Sequence, residues 1–260
     1  MRLSFIFTFL VIVSCNSQSE QPIHHTTSQD TIPVRKDRIQ EYYNLHSSVQ
    51  GKSKAIGVVN NGSLVNGRLV PFSGTNFLYF DTTSYLNGRG FVHENLLSTL
   101  LQSYKTLEYS IPNRLFRIME CSNEHGGKIF PHRTHQNGLS VDFMTPLMKK
   151  GVPFYDLDTV GGTHYLLEFD DSGNSSRDPG IKIDFETMAN HLLSLHESAS
   201  KNGLRISKVI FKTELKDELF ATESGKKLKA KNIYFTKSLT SAINALHDDH
   251  YHVDFELREP

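Results

Sequence analysis

The segment HDDHYHVDF, residues 247–255, sets His247, His250 and His252 among Asp248, Asp249 and Asp254. Imidazoles and carboxylates are the nitrogen and oxygen donors that bind zinc, and imidazole also carries protons near neutral pH. If HYHVDFEL is a strand, Tyr251, Val253, Phe255 and Leu257 form an apolar face while His250, His252 and Asp254 share the other. Side chains two apart on a strand have Cα atoms about 6.5–7 Å apart, close enough to approach one ion.

A second segment, PHRTHQNGLSVDFM, carries His132, His135 and, seven residues further on, Asp142. Asn137-Gly138 reads as a turn, and alternation in LSVDF sends Leu139, Val141 and Phe143 to one face and Asp142 to the other. His135, Asp142 and one histidine of the His250/His252 pair would then make a His-His-Asp metal site with its fourth position open. A structural zinc site is normally closed by four ligands and rich in cysteine, but this chain has only Cys15 and Cys121. An open position lets zinc bring the pKa of a held water to about 7, and the remaining histidines can move protons. Amide hydrolysis is the natural use.

These residues need a scaffold. HENLLSTLLQSYKTLE puts Leu96, Leu97, Leu100, Leu101, Tyr104 and Leu107 on one helical stripe; a second helix runs from an Asp184 cap to a Gly203 stop, and a third, short one from Ser238 through Leu246 delivers the chain to His247. The runs FLYF, LFRIMEC, LSVDFM, HYLLEF, ISKVIFK and HYHVDFEL read as strands. Strands and helices do not alternate regularly, which predicts an α+β domain with a central antiparallel sheet flanked by helices. His191 and His196 fall on the second helix as structural residues, and His164 reads as a polar loop residue in a rim between Thr145 and Asp184. His125 is expected near the groove. The basic GKKLKAKN is expected to be a solvated loop or helix face.

The 260 residues, 38% hydrophobic, suffice for one sizeable core. Lys plus Arg (28) balance Asp plus Glu (28), so no global field recruits nucleic acid or an anionic membrane. At the N-terminus, Met1-Arg2 precedes LSFIFTFLVIV, an apolar run of export-signal length. Its end, Ile12-Val13-Ser14-Cys15, resembles a bacterial lipobox, implying cleavage before Cys15 and lipidation of that residue; residues 1–15 are thus expected to be a lipoprotein signal. Residues 16–53, polar and without clear period, read as a flexible tether with a mean reach of about 30–35 Å, and residues 54–260 as the functional domain. No disulfide is available beyond Cys15, and Cys121 in LFRIMECS reads as a buried apolar side chain.

The segments GGKIFPHRTHQNGLSVDF and HDDHYHVDF resemble the two signature regions of the penicillin-insensitive murein endopeptidases, within the wider group of lysostaphin-type enzymes, D-alanyl-D-alanine metallopeptidases and the hedgehog signalling domain. The likeness extends through AIGVVNNGSLVNGRLVPFSG, GRGFVHENLLSTLLQ and ISKVIFKTELKDELF, spanning about residues 54–257. It implies a hedgehog/DD-peptidase-like fold in which His135, Asp142 and His252 bind Zn2+, His250 flanks the metal and His247 is the general base. It places His132 near the site, and Asp248 and Asp249 as residues orienting imidazoles. The implied activity is hydrolysis of peptidoglycan cross-links of the D-alanyl to diaminopimelate type, insensitive to penicillin. After Cys15 come Asn16 and Ser17, with no aspartate to favour inner-membrane retention, so the expected location is the periplasmic face of the outer membrane, with the lipid as the only membrane contact. Val253-Asp254 departs from the HVR expected after the HxH, which leaves open a carboxypeptidase acting on stem peptides or a zinc-containing cell-wall-binding lipoprotein that hydrolyses nothing.

Overall fold

Residues 31–258 are described by the computed structural model. In chain order they form α1 (Thr31–Ser47), β1 (Lys54–Val58), β2 (Asn61–Val65), β3 (Arg68–Leu69), β4 (Phe77–Tyr79), α2 (Thr82–Leu86), β5 (Phe91–Val92), α3 (Glu94–Ser110), β6 (Phe116–Ile118), β7 (Ser140–Met144), β8 (Leu147–Lys149) and β9 (Val152–Phe154). After 3₁₀ turns at Asp156–Thr159 and Gly161–Leu166 come β10 (Ile181–Ile183), α4 (Phe185–Lys201), β11 (Leu204–Ile210), α5 (Lys216–Ala221), α6 (Glu223–Ala230), α7 (Ser241–Ala245) and β12 (His250–Leu257). The lipobox, its signal and residues 16–30 of the expected tether lie outside the described residues. Among the described residues, no helix is long and apolar enough to cross a membrane.

The fold is α+β, one domain around a five-stranded sheet ordered β11-β12-β7-β6-β4. β12 lies antiparallel between β11 and β7, and β6 pairs antiparallel with β7. The outer pair corrects the expectation of a purely antiparallel sheet, because β4 and β6 run parallel. A parallel pair needs a crossover, and α2, β5 and α3 supply it.

α3 and α4 pack on each other and on the back of the sheet, as their stripes require. Leu96, Leu100, Tyr104 and Leu107 of α3 are buried, while Leu101 remains partly exposed. Asp184 caps α4 by accepting from the Thr187 amide at 3.0 Å, and Gly203 follows the helix with φ +71. On β12 the predicted alternation holds as far as Phe255: Tyr251, Val253 and Phe255 enter the core, and His250, His252 and Asp254 face the other side, whereas Leu257 at the strand's end is 42% exposed. His191 of α4 meets the back of β12, its Nδ1 hydrogen-bonded to the Tyr251 hydroxyl.

Two other expectations change. Residues 31–47 are helical rather than tether, because Ile39, Tyr42, Tyr43 and His46 recur at i, i+3, i+4 and i+7. Tyr42 sits edge-on to Tyr85 at 5.6 Å between ring centroids, His46 lies 5.8 Å from Phe91, and the Arg68 guanidinium holds the Val49 and Gly51 carbonyls. The HYLLEF run is no strand: its first half closes the Gly161–Leu166 3₁₀ turn, where Gly161 takes φ +59. The rim between Thr145 and Asp184 is a three-stranded sheet ordered β10-β8-β9. GKKLKAKN lies on α6 and the turn after it, a solvated face with Lys226 paired to Glu223.

Candidate metal centre

Sheet register makes the site. His252 on β12 stands directly opposite Asp142 on β7, and its Nδ1 lies 2.7 Å from Asp142 Oδ1. Asp142 is 1% exposed and is the centre of the cluster. His135 Nε2 is 3.2 Å from the same oxygen, the Tyr165 hydroxyl donates to Asp142 Oδ2 at 3.3 Å, and His132 Nδ1 is 3.6 Å from Oδ2. The His135 ring stands 4.8 Å from those of His132 and His252.

The loop before β7 delivers His135 from an unusual backbone position, with φ +65, a left-handed conformation that a side-chain-bearing residue adopts at a cost of about 1–3 kcal/mol. The surroundings hold it there. The Gln136 amide donates to the Val59 carbonyl at 3.0 Å, the Gly127 amide to the Gln136 carbonyl at 2.8 Å, and the Gly138 amide to Ser122 Oγ at 2.9 Å. The predicted Asn137-Gly138 turn is real: Gly138 has φ +77, and a Cβ there would lie 2.8 Å from the Leu64 methyls.

His135 is 0% exposed; its Nδ1 has no hydrogen-bond partner, and Nε2 has only the 3.2 Å contact with Asp142 Oδ1. A buried ring nitrogen without a partner costs stability unless something else satisfies it. One ligand atom from each of His132, His135 and Asp142 lies within 4.8 Å of the others, so this group could hold a metal ion. The residues fit such an ion in chemistry as well as distance: two imidazoles and a carboxylate lie within 4.8 Å of one another, with a third imidazole, His252, 2.7 Å from Asp142 Oδ1.

His132, expected only near the site, is thus a full member of the group, and Glu120 is the reason. His132 Nε2 lies 2.6 Å from Glu120 Oε2, which turns Nδ1 toward Asp142. Glu120 also accepts from Arg89 at 2.8 and 3.0 Å and from Ser84 Oγ at 2.9 Å. Burial raises the Glu120 carboxyl, but His132 and Arg89 outweigh this and hold it below the usual carboxylate range. The only local sign of Glu120 in the sequence is a lone carboxylate closing the apolar run LFRIMEC.

His247 and His250 stand with their rings 4.8 Å apart beside this cluster. His250 Nδ1 meets Asp249 Oδ1 at 2.5 Å, so Asp249 orients an imidazole as expected. Asp248 does not: its Oδ2 accepts from the Phe169 amide at 3.0 Å and ties β12 to the rim. His247 Nδ1 lies 2.6 Å from the Ile243 carbonyl of α7, which fixes the proton on Nδ1 and leaves Nε2 its lone pair. Burial pushes His247 down to about 3 and His250 down to about 4, so both are uncharged at neutral pH. Burial works the same way on His252, but Asp254 and Asp142 outweigh it and push that residue up to about 10.

These groups line one groove of about 800 Å³. His132, Asp142, His247, His250 and His252 are on its wall, with Tyr165 among them and Ile210, Leu239, Ile243 and Leu246 as an apolar flank. Tyr165 packs edge-on against His250 at 4.9 Å and escaped the sequence reading because its segment was assigned to a strand. His164 is buried, its ring nitrogens 3.2 and 3.1 Å from the Leu157 and Asp249 carbonyls, and it takes no part in the cluster. His125 is exposed and away from the groove wall. Cys121 is a free buried thiol, its pKa pushed up by burial. No family model matches the chain, and no curated protein sequence matches it.

Proposed function

We propose that this chain is a zinc-dependent murein endopeptidase that hydrolyses peptide cross-links of peptidoglycan, of the D-alanyl to diaminopimelate type, from a lipid anchor at the periplasmic face of the outer membrane. What supports the metal centre is the fully buried His135 set against Asp142 behind His132 and His252, which line an open groove, and the substrate class rests on the likeness of GGKIFPHRTHQNGLSVDF and HDDHYHVDF to the murein endopeptidase signatures.

When bound, zinc supplies Lewis acidity, polarising the scissile carbonyl and acidifying the attacking water. The protein does the rest. The groove admits an extended peptide beside His250 and His247. His247 Nε2, freed by the Nδ1 bond to Ile243, takes a proton from the attacking water as oxygen bonds to the carbonyl carbon. That proton passes to the departing amine as the carbon–nitrogen bond breaks, so one water is consumed for each cross-link cut. Burial pushes the Asp249 carboxyl up to about 8, so it donates its proton to His250 Nδ1 and leaves the Nε2–H for the developing oxyanion, while Tyr165, whose hydroxyl donates to Asp142 Oδ2, packs against the His250 ring.

The test is metal analysis with muropeptide profiling of the wild type beside His252→Ala. The expected result is about one zinc per chain, cross-linked dimers converted to monomers, and loss of both in the variant. A wild type that holds zinc, binds sacculi and leaves dimers intact would overturn the hydrolase reading, and trimming of monomers alone would make the protein a carboxypeptidase. Zinc retained by His252→Ala would remove His252 from the ligand set and leave His132 as the third ligand.

A further inference from the structure

Beside the row that pairs Asp142 with His252, the sheet carries a second polar row. Asp254 of β12 stands opposite Ser140 on β7 and opposite Lys208 on β11. Asp254 Oδ1 accepts from Ser140 Oγ at 2.6 Å and lies 2.6 Å from His252 Nε2, while Lys208 Nζ is 2.8 Å from Oδ2. The side chain is 2% exposed and absent from the groove wall. Both oxygens are engaged, so substrate does not meet this carboxylate.

The row exists because β11 is irregular. The register slips between Ile206, which opposes Phe255, and Lys208, which opposes Asp254. In a regular ladder Ser207 would face Asp254, and Lys208 would point into the core with Ile206. The extra residue turns Lys208 onto the polar face, which is how bulges near functional sites re-aim a side chain. The Ser207 hydroxyl donates to the Asp254 carbonyl at 3.1 Å and holds the bulge. A buried carboxylate left uncompensated would be costly, and Lys208 supplies the compensating charge.

We propose that Asp254, held by Ser140 and Lys208, is a positioning residue that keeps a proton of His252 on Nε2, so that Nδ1, which otherwise bonds to Asp142, is the nitrogen that gives up its proton to a metal beside Asp142. The inference rests on His252 being a ligand, as the peptidase reading has it. A carboxylate behind a ligating imidazole fixes its tautomer and raises its basicity, and removing such a partner weakens metal binding about 10- to 100-fold.

The test uses the full chain in three forms besides wild type: Asp254→Asn, Lys208→Gln and Asp254→Glu. Zinc affinity is measured by competition with a chelating dye, the visible spectrum of the cobalt-substituted protein reports ligand geometry, and near-ultraviolet circular dichroism checks the fold. Asp254→Asn should bind zinc about 10- to 100-fold more weakly with a shifted cobalt spectrum. Asp254→Glu should recover part of the loss, and Lys208→Gln should weaken binding in the same direction. Zinc binding within about twofold of wild type and an unchanged cobalt spectrum in a folded Asp254→Asn would overturn the proposal. Should that variant not fold, the partly exposed Lys208 decides, and wild-type affinity and spectrum in Lys208→Gln overturn it. A wild type that binds no zinc, or a His252→Ala that binds it fully, instead sinks the ligand assignment beneath the proposal.

Discussion

Acid should loosen this domain through His191, behind the sheet. The ring is fully buried between α4 and the core, with the rings of Phe143 at 4.8 Å, Phe116 at 5.1 Å and Tyr104 at 5.2 Å. Nδ1 is bonded to the Tyr251 hydroxyl and Nε2 has no partner. Burial therefore pushes its pKa down to about 3, against about 6.5 in the unfolded chain. Between these values the unfolded chain binds a proton that the folded one refuses, so stability is full above pH 6.5 and falls with pH toward 3. At pH 4.5, two units below the unfolded value, the loss is about 2.7 kcal/mol at 1.36 kcal/mol per unit. That is a large share of the 5–15 kcal/mol typical of a domain, roughly speaking. Urea unfolding at pH 7.5 and pH 4.5 measures it, with His191→Phe as the nontitrating control. Other groups titrate in both proteins, so the pH-dependent drop should be about 2.7 kcal/mol smaller in the variant. A drop equal in both proteins would refute the reasoning. Because Tyr251 lies between His250 and His252 on β12, the metal centre should be lost along with the core packing.

Two further outcomes test the supports of the centre. Glu120→Gln should weaken zinc binding about 10- to 100-fold in a dye competition, because His132 loses the carboxylate behind Nε2. Gly138→Ala should destabilise the fold by about 1–2 kcal/mol from its left-handed backbone and about 1–3 kcal/mol from overlap with Leu64 and the His93 amide, read by thermal or urea unfolding.

The sequence by itself determined which side chains would share a face. Alternation along HYHVDFEL set His250, His252 and Asp254 opposite Tyr251, Val253 and Phe255, and LSVDF did the same for Asp142. It also located the leucine stripe of α3, the Asp184 cap of α4 and the Asn137-Gly138 turn, because these depend on neighbours a few residues away. It misjudged α1, where four residues at helical spacing were too few to stand out from a polar background, and HYLLEF, a short apolar run that fits either strand or turn.

Only the tertiary structure decided what each polar group does. Glu120 reaches His132, Tyr165 reaches Asp142, and Asp254 turns inward to Ser140 and Lys208 instead of outward to the groove. These pairings join segments up to 114 residues apart, and they depend on strand order, on register and on one extra residue in β11. Local periodicity fixes the face a side chain occupies; its partner across the sheet is set by how separate strands align, and a slip of one residue would break both the Asp142–His252 row and the Ser140–Asp254–Lys208 row.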